Sequence, residues 1–257
     1  MFLSQIRAFN PVRSRVRVRI LFHNRLVMDS IPQELIDSII DNVPKSSLPS
    51  CSLVARRWRQ KSQQRLLDTL YFPSEDAMNR WCTDIPQDSD GISSYVRHVK
   101  IQDIVCWDEP TLFSRMLGNL SSLTGLSLYQ TEIPDEFPGH ISRGEFGKGI
   151  TTLHFWFPYC TVATITSIIL SLPDLKELSV QAFGLTSEEP LPTYSVTSRR
   201  EPLHSLELQG NVDEIGEALA KSRFISNCLS LAVHIPDVGQ LLMLSSETLV
   251  KLELYGV

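Results

Sequence analysis

Paired cysteines, metal-ligand clusters and nucleotide-binding glycine loops are all missing from this sequence of 257 residues. Its five cysteines are scattered, with no Cys-x-x-Cys pair and no histidine at metal-ligand spacing. This argues against a disulfide framework and a zinc module, so a reduced compartment, cytoplasmic or nuclear, is expected. No Gly-x-Ser-x-Gly, His-Glu-x-x-His or Gly-x-Gly-x-x-Gly motif occurs, and GEFGKG at 144–149 departs from the phosphate-loop pattern. The sequence therefore predicts a chain with no catalysis of its own, no metal and no cofactor.

Basic residues are scarce beyond the first 27 positions. Those positions hold six Arg and no acid, whereas the remainder holds 18 basic against 29 acidic residues, a net formal charge of −11. An acidic body lacks the basic stripe that binds phosphates, so nucleic acid and anionic membrane surfaces are not expected partners. The segment 1–27 is interpreted as a disordered extension before a start at Met28. A mitochondrial presequence is the alternative, which Pro11 and the run VRVRI disfavour.

Long hydrophobic runs are equally scarce. No Asp, Glu, Lys or Arg occurs between Lys148 and Asp174, but this run contains Pro158, His154 and five Thr. Its first half has the pattern of a strand. A transmembrane helix is therefore not expected.

A helical motif opens the region after the basic extension, in MDSIPQELIDSIIDNVPKSSLPSCSLVARRW at 28–58. Ser30 followed by Gln33 fits a capping box, with Pro32 tolerated in the first turn. Pro44 is expected to end this helix. The apolar residues that recur at helical spacing are Leu35, Ile36, Ile39, Ile40 and Val43.

Two further short helices are expected after Pro44. The second opens at Ser47 and Pro49, and the third runs from about Val54 to Leu70. The basic run ARRWRQK at 55–61 is interpreted as a solvated helix face, because no second basic patch supports a nucleic-acid recognition helix.

The segment IPQELIDSIIDNVPKSSLPSCSLVARRW resembles an F-box, whose pattern runs Leu-Pro, Glu-Leu, paired aliphatics, a Pro-bearing turn, Leu, Ser-Leu-Val and Trp. The resemblance extends from residue 29 to about 72, with Ile31 in place of the usual Leu. It implies a helical surface that docks on the Skp adaptor of a cullin-RING ubiquitin ligase. The residues implied for that surface are Pro32, Leu35, Ile36, Ile39, Val54 and Trp58. Leu53 and Ile40 are expected to close the core of the unit itself.

A second pattern repeats along the rest of the chain. LSSLTGLSLYQT at 120–131 and LPDLKELSVQAF at 172–183 share the spacing Leu-x-x-Leu-x-x-Leu-x-(Leu/Val). The same core recurs in VRHVKI, ITTLHF, LHSLEL, CLSLAV and LVKLEL. The first inward residues of the predicted strands are Val99, Leu126, Leu153, Leu178, Leu206, Leu231 and Leu252. Their steps of 27, 27, 25, 28, 25 and 21 residues fit a leucine-rich repeat.

The intervals between these strands carry two kinds of sequence. Helical patterns occur at 109–120, 161–172 and 237–244, which gives strand-plus-helix units. Two other intervals, 134–149 and 184–202, are rich in Gly, Pro, Ser and charge and are predicted to be loops, with tolerated surface insertion and a role in client binding both open. Only Asn211 supplies the consensus asparagine of the repeat, so the repeats are degenerate and an unrelated sheet is the alternative.

The residues that flank each inward pair are expected on an open concave face of the predicted solenoid. They are His98, Lys100, Gln102, Ser127, Tyr129, His154, Trp156, Glu177, Ser179, Gln181, Glu207, Gln209, His234, Lys251, Glu253 and Tyr255. Mixed charge with outward aromatic rings is typical of a protein-binding face. The predicted client-binding residues are Tyr129, His154, Trp156, Gln181, Gln209, His234 and Tyr255. Trp156 is the predicted main anchor, and burial of this side chain by a neighbouring loop is the alternative.

The sequence as a whole predicts an α/β chain: an extension at 1–27, a three-helix F-box at 28–72, a connector at 73–94 and a leucine-rich-repeat-like solenoid at 95–257. This arrangement resembles the F-box and leucine-rich-repeat proteins of large fungal families. It implies the substrate-recognition subunit of an SCF-type ubiquitin ligase, which binds a Skp adaptor, through it a cullin, and an unidentified client protein. The alternative is a repeat scaffold for protein–protein interaction outside a ligase. The strand KLELYGV lacks a polar capping unit, which is typical of an array truncated at Val257.

Overall fold

The computed structural model of this chain describes residues 31–84, 91–105, 107–182, 185, 203–210, 212–221, 228, 230–234 and 251–254. Several predicted features lie outside the described residues: the extension at 1–27, almost all of the loop at 184–202, the helix at 237–244, Asn211 and Tyr255. The chain divides into two compact units, Met1–Asp68 and Thr69–Val257.

The described part of the first unit consists of three α-helices and a 3-10 turn. Helix α1 spans Gln33–Asn42, the turn Lys45–Ser47, α2 Leu48–Val54 and α3 Arg56–Leu67. The predicted bounds of α1 are confirmed, since Pro32 is its N-cap and Pro44 follows its C-cap residue. Pro32 makes no side-chain capping bond, and Ser30 of the predicted capping box is outside the described residues.

The core of the first unit is small. Ile36 and Ile40 lie one turn apart on α1 and pack with Leu48 of α2, and all three are fully buried. The side chains that pack partly buried around them are Ile31, Val43, Trp58 and Leu66. Three buried side chains give little hydrophobic stabilisation, so this unit depends on further contacts.

Basic side chains of α3 supply some of these contacts. Lys61 Nζ lies 3.1 Å from the Asp41 carboxylate on α1. The Arg65 guanidinium donates to the carbonyl oxygen of Val43 at 2.9 Å and to that of Ile40, at the end of α1. A cation at these carbonyls is favourable because the C-terminal end of a helix carries partial negative charge and carbonyl oxygens that lack the regular intrahelical donor. The predicted solvated basic face is therefore used in part to hold α3 against α1.

The second unit is an α/β structure built on one eight-stranded parallel sheet, whose strands follow one another in sequence order. The strands are β1 (Thr69–Phe72), β2 (His98–Gln102), β3 (Gly125–Tyr129), β4 (Thr152–Trp156), β5 (Glu177–Ala182), β6 (Ser205–Gly210), β7 (Ser230–His234) and β8 (Lys251–Leu254). The helices among the described residues are α4 (Glu75–Asp84), α5 (Pro110–Gly118), α6 (Phe137–Ser142), α7 (Val162–Ser171) and α8 (Asp213–Lys221), with a 3-10 turn at Ile92–Tyr95. Parallel neighbours need crossover connections, which explains the helices between the successive strands from β1 to β5 and the helix between β6 and β7.

The seven predicted strands are confirmed, and they pair in the predicted register. One continuous row across the sheet consists of Val99, Leu126, Leu153, Leu178, Leu206, Leu231 and Leu252. Leu70 of β1 extends this row by one strand. The prediction that placed Leu70 in a helix is wrong, because α3 ends at Leu67 and Leu70 and Phe72 turn toward the core of the sheet unit.

A single hydrophobic core lies on one face of the sheet. Strands β2 to β6 contribute Val99, Ile101, Leu126, Leu128, Leu153, Phe155, Leu178, Val180, Leu206 and Leu208. The helices contribute residues that include Met78, Phe113, Phe137, Ile165 and Ile215. Because successive strand residues alternate between faces, the remaining strand residues belong to the opposite face.

The interval 134–149, predicted to be a loop, contains α6 and is part of the core. Phe137, Ile141 and Phe146 are buried. The Phe137 ring centroid lies 4.5 Å from that of Phe113 and 5.1 Å from that of Phe146. Three of the four glycines of this interval follow α6 and have positive φ angles, which only glycine adopts at little cost. This interval therefore covers the sheet as the neighbouring helices do.

The predictions for the other intervals between strands are confirmed only in part. The helices predicted at 109–120 and 161–172 are confirmed as α5 and α7. The interval 73–94, predicted to be a connector, forms α4, whose Met78 is buried and whose Trp81 ring lies 6.2 Å from that of Phe72. No helix within the described ranges is both long and apolar enough to cross a membrane.

Candidate functional site

Four large apolar side chains in the described part of the first unit are exposed to solvent. Their exposed fractions are 56% for Leu35, 45% for Ile39, 81% for Leu53 and 51% for Val54. Leu35 and Ile39 are four residues apart and so lie on one side of α1, and Leu53 and Val54 end α2. Exposed apolar area of this kind on a small unit is typical of a partner-binding surface.

The predicted adaptor-binding residues are divided between this surface and the core. Pro32, Leu35, Ile39 and Val54 are exposed. Ile36 is fully buried in the structure, so its prediction as a surface residue is corrected. Adjacent helix positions differ by about 100° in direction, and the core of this unit lies on the Ile36 side of α1.

Trp58, Ile40 and Leu53 also differ in whether they belong to this surface or to the core. Trp58 is half-buried and packs on the core, and its indole Nε1 is buried without a hydrogen-bond partner in the part of the chain that the structure describes. The prediction that Ile40 belongs to the core is confirmed, and the same prediction for Leu53 is wrong. Leu53 is the most exposed of the four apolar residues because it lies near the end of α2, beyond the contact of Leu48 with the core.

The sheet face opposite the core carries three rows of aligned residues, which we call the polar sheet face. The first row is Thr69, His98, Gly125, Thr152, Glu177, Ser205, Ser230 and Lys251. The second row is Tyr71, Lys100, Ser127, His154, Ser179, Glu207, Ala232 and Glu253. The third row is Gln102, Tyr129, Trp156, Gln181, Gln209 and His234. Six of the seven predicted client-binding residues therefore share this face, and Tyr255 is outside the described residues.

Three aromatic rings meet on the polar sheet face at strands β3 and β4. The ring centroids of Tyr129 and Trp156 are 4.0 Å apart, and the His154 ring is stacked on that of Trp156 at 5.6 Å. All three side chains are half-buried by their neighbours. Rings held in this way form a rigid apolar contact area with polar edges, which is a common interface anchor.

Charge on the polar sheet face changes from one side of these rings to the other. Lys100 lies on β2, and Glu177 and Glu207 lie on β5 and β6. The Glu207 carboxylate accepts hydrogen bonds from Ser179 Oγ at 2.9 Å and from Gln209 Nε2 at 2.7 Å. Within the described ranges, neither Glu177 nor Glu207 forms an ion pair with a basic side chain. Among the residues that the structure describes, the aromatic rings thus lie near two carboxylates that no basic side chain pairs with.

His154 lies between these charges. Burial lowers the pKa of its imidazole below the usual 6.5, the nearby carboxylates of Glu177 and Glu207 oppose that effect, and Lys100 adds to it. Its Nδ1 is buried and has no hydrogen-bond partner among the described residues. The ring is therefore neutral at pH 7 and acts as part of the aromatic surface.

We expect His154 to titrate below pH 6.5 in an NMR titration of its ring protons. Because its folded-state pKa is depressed, the unfolded chain protonates first, and the stability that this group contributes is lost as pH falls from the unfolded pKa to the folded pKa. Glu207→Gln is expected to lower the midpoint further and Lys100→Met to raise it. A midpoint at or above the usual value would contradict the burial of this ring.

A cleft of about 490 Å³ lies between α6 and α7. Its lining includes Ser142, Lys148, Ser167 and Ser171. The three hydroxyls donate to helix carbonyl oxygens at 2.9, 2.6 and 2.7 Å respectively. These donors are therefore already committed, and the cleft presents few groups that would orient a polar ligand.

Burial, together with the nearby Asp135 charge, raises the pKa of the Cys160 thiol to about 12, so the thiol stays protonated at neutral pH. No group of three or more His, Cys, Asp or Glu side chains suited to hold a metal ion occurs in the described ranges.

Comparison with known proteins assigns the first unit to a domain family. The family model of the F-box domain matches residues 28–69, and helices α1 to α3 fit that assignment. No curated protein matches the chain. F-box domains generally bind Skp adaptors in SCF complexes, and proteins that contain them are usually non-catalytic adaptors of ubiquitin ligases. This chain contains an F-box domain at residues 28–69, which suggests a substrate-recognition adaptor of the SCF type.

Proposed function

We propose that this chain is the substrate-recognition subunit of an SCF-type cullin-RING ubiquitin ligase. The F-box binds a Skp adaptor and through it a cullin, and the sheet unit binds a client protein. The observation that carries the proposal is the match of the F-box domain to residues 28–69. In this unit the side chains of Leu35, Ile39, Leu53 and Val54 are exposed to solvent. The ubiquitin transfer itself takes place on partner proteins, and this chain contributes by holding the client nearby.

The adaptor-binding surface consists of the exposed members of the predicted set. Pro32, Leu35 and Ile39 supply it from the start of α1, and Val54 supplies it from the end of α2. Leu53 is added because of its large exposed fraction. Ile36 and Trp58 support this surface from the core side, where both pack in the same cluster.

The sheet unit is interpreted as a degenerate array of leucine-rich repeats. Its support is a backbone hydrogen bond that recurs just before successive strands. The bonds run from Thr124 N to Arg97 O, Thr151 N to Thr124 O, Lys176 N to Thr151 O and His204 N to Lys176 O, all at 2.7 to 2.8 Å. The residue after β2, β3 and β4 also has a positive φ angle each time, at Asp103, Gln130 and Phe157. Equivalent geometry at equivalent positions is what a repeated unit requires.

Client binding is assigned to the polar sheet face. Tyr129, His154 and Trp156 form its aromatic centre, and Gln181 and Gln209 continue the row that contains Trp156. His234 follows Gln209 in that row, and Tyr255 remains a prediction. Half-buried rings with amide neighbours offer both apolar area and directional hydrogen bonds to a protein partner.

Co-expression of the full chain with a Skp adaptor tests the ligase assignment. We expect an equimolar complex in size-exclusion chromatography. Titration calorimetry is expected to give a Kd of about 10 nM. A folded chain that elutes apart from the adaptor would overturn the proposal and favour a repeat scaffold that works outside a ligase.

A further inference from the structure

We propose that the polar sheet face selects basic client segments: an apolar side chain of the client packs on Tyr129 and Trp156, and an Arg or Lys nearby in the client pairs with Glu177 or Glu207. This inference rests on the proposed function only in treating the bound peptide segment as part of a client protein. The recognition itself depends on the sheet unit alone. The occupant is therefore a peptide segment that combines one apolar anchor with at least one cation.

The charge of the face argues for a cationic occupant. Glu207 is held in place by Ser179 and Gln209, whose donors satisfy both carboxylate oxygens without neutralising the charge. Glu177 lies on the adjacent strand, one row away. A fixed carboxylate that already carries its hydrogen bonds needs little reorganisation to accept a guanidinium or ammonium group. Two such carboxylates form the acidic side of the aromatic centre.

The same charges argue against an anionic occupant. A phosphorylated or acidic segment that packs on Trp156 and extends toward Glu177 or Glu207 would bring like charges together, and like charges repel. Lys100 is the only Lys or Arg of the second row, and it lies on the β2 side of the rings. His154 adds no positive charge at neutral pH, because burial depresses its pKa. Among the described residues near the rings, negative charge therefore predominates.

The spacing of the face sets the spacing expected in the client. Trp156 and Glu207 are two strands apart, or about 10 Å, and one row apart, or about 7 Å along the strands, so their Cα atoms are separated by about 12 Å. An extended peptide covers that distance in about three to four residues. The apolar anchor and the cation are therefore expected within about four residues of each other.

Aromatic rings strengthen this selection. A guanidinium that reaches toward Glu207 passes near the faces of His154 and Trp156, and cations are attracted to the face of an indole ring. Arginine combines this contact with a two-point hydrogen bond to a carboxylate, so arginine is expected to be preferred over lysine. The preference distinguishes a built recognition site from simple attraction between opposite charges.

Peptide display on the purified full chain, without any adaptor, tests this inference. The probe is a phage-displayed library of random peptides of about twelve residues. The test variant carries Glu177→Gln and Glu207→Gln. The matched control carries Glu136→Gln and Glu214→Gln, two exposed carboxylates of the same unit outside the polar sheet face. Both variants lose the same amount of charge, so their comparison separates local recognition from overall electrostatics.

We expect the wild-type chain and the control to enrich peptides with Arg or Lys within about four residues of an aromatic or large aliphatic residue. Synthetic versions of these peptides are expected to bind the test variant at least about tenfold more weakly in fluorescence anisotropy, and to bind the Trp156→Ala variant more weakly as well. Selected peptides without a basic bias, equal binding to the test variant, or no captured peptide on folded protein would each overturn the inference. The peptide experiment does not measure adaptor binding. A negative result therefore overturns only the preference for basic segments and leaves the adaptor experiment to decide the ligase assignment.

Discussion

Replacing Leu35 and Ile39 together by aspartate is expected to abolish the complex with a Skp adaptor while the F-box stays folded. Both side chains are large, apolar and about half exposed on one side of α1, so the folded unit tolerates polar replacements there. In the complex, two carboxylates would be buried without partners, which costs several kcal/mol. We expect affinity to fall by at least about a hundredfold in titration calorimetry.

The matched control for this variant carries Ser38→Asp and Ser46→Asp. These exposed polar residues lie on α1 and on the following 3-10 turn, so the control adds the same charge without removing apolar surface. Thermal unfolding should give similar midpoints for both variants. If the Leu35 and Ile39 variant binds the adaptor as tightly as the control, the adaptor surface proposed for α1 is incorrect.

Phe137→Ala is expected to destabilise the sheet unit by about 3 to 5 kcal/mol. The Phe137 ring is buried between Phe113 of α5 and Phe146, so its removal leaves a cavity that rigid neighbours on both sides cannot fill. Urea and thermal unfolding measure the effect, and the thermal midpoint should fall by roughly 10 °C.

Tyr159→Ala provides the comparison for Phe137→Ala. Tyr159 is also aromatic, follows β4 and is half exposed, so its truncation is expected to cost less than about 1 kcal/mol. Equal destabilisation by the two changes would mean that α6 is not part of the core. In that case, the interval 134–149 would behave as the surface loop that its composition indicates.

The strand register could be predicted from the sequence because the signal is local and repeated. Two apolar residues separated by one position recur at steps of 21 to 28 residues, and the structure aligns the same residues from Val99 to Leu252 in one row. Strand β1 could not be predicted in this way. Leu70 and Phe72 follow directly on a helix and give too short a pattern, and they become a strand because the edge of β2 offers backbone partners.

Helix α6 escaped prediction for a different reason. The helix contains Pro138 and Gly139 and is followed, within the same interval, by three glycines of positive φ, and these residues are typical of loops. The apolar pair Phe137 and Ile141, four residues apart, was the only helical signal. The interval folds as a helix because it must cover the sheet between α5 and α7, and that requirement is not written in its local composition.

The candidate sites show the same division. The F-box pattern identified the right unit, confirmed by its match at residues 28–69, but not which members of the α1 stripe are accessible. Ile36 and Leu35 are adjacent and equally apolar, and only the positions of α2 and α3 decide that Ile36 is buried and Leu35 exposed. The exposure of Leu53 likewise depends on where α2 ends relative to that core.

The sequence by itself determined the F-box, the positions of strands β2 to β8 and most of the residues that share the polar sheet face, because each follows from spacing between near neighbours. Only the tertiary structure decided that Tyr129, His154 and Trp156 are in contact, and that Glu177 and Glu207 lie beside them without an ion pair among the described residues. These residues are separated by about 25 residues from strand to strand, a distance typical of one repeat. Their contacts, burial and charges arise when the strands pair, since pairing brings side chains that are distant in sequence to within about 5 Å of one another.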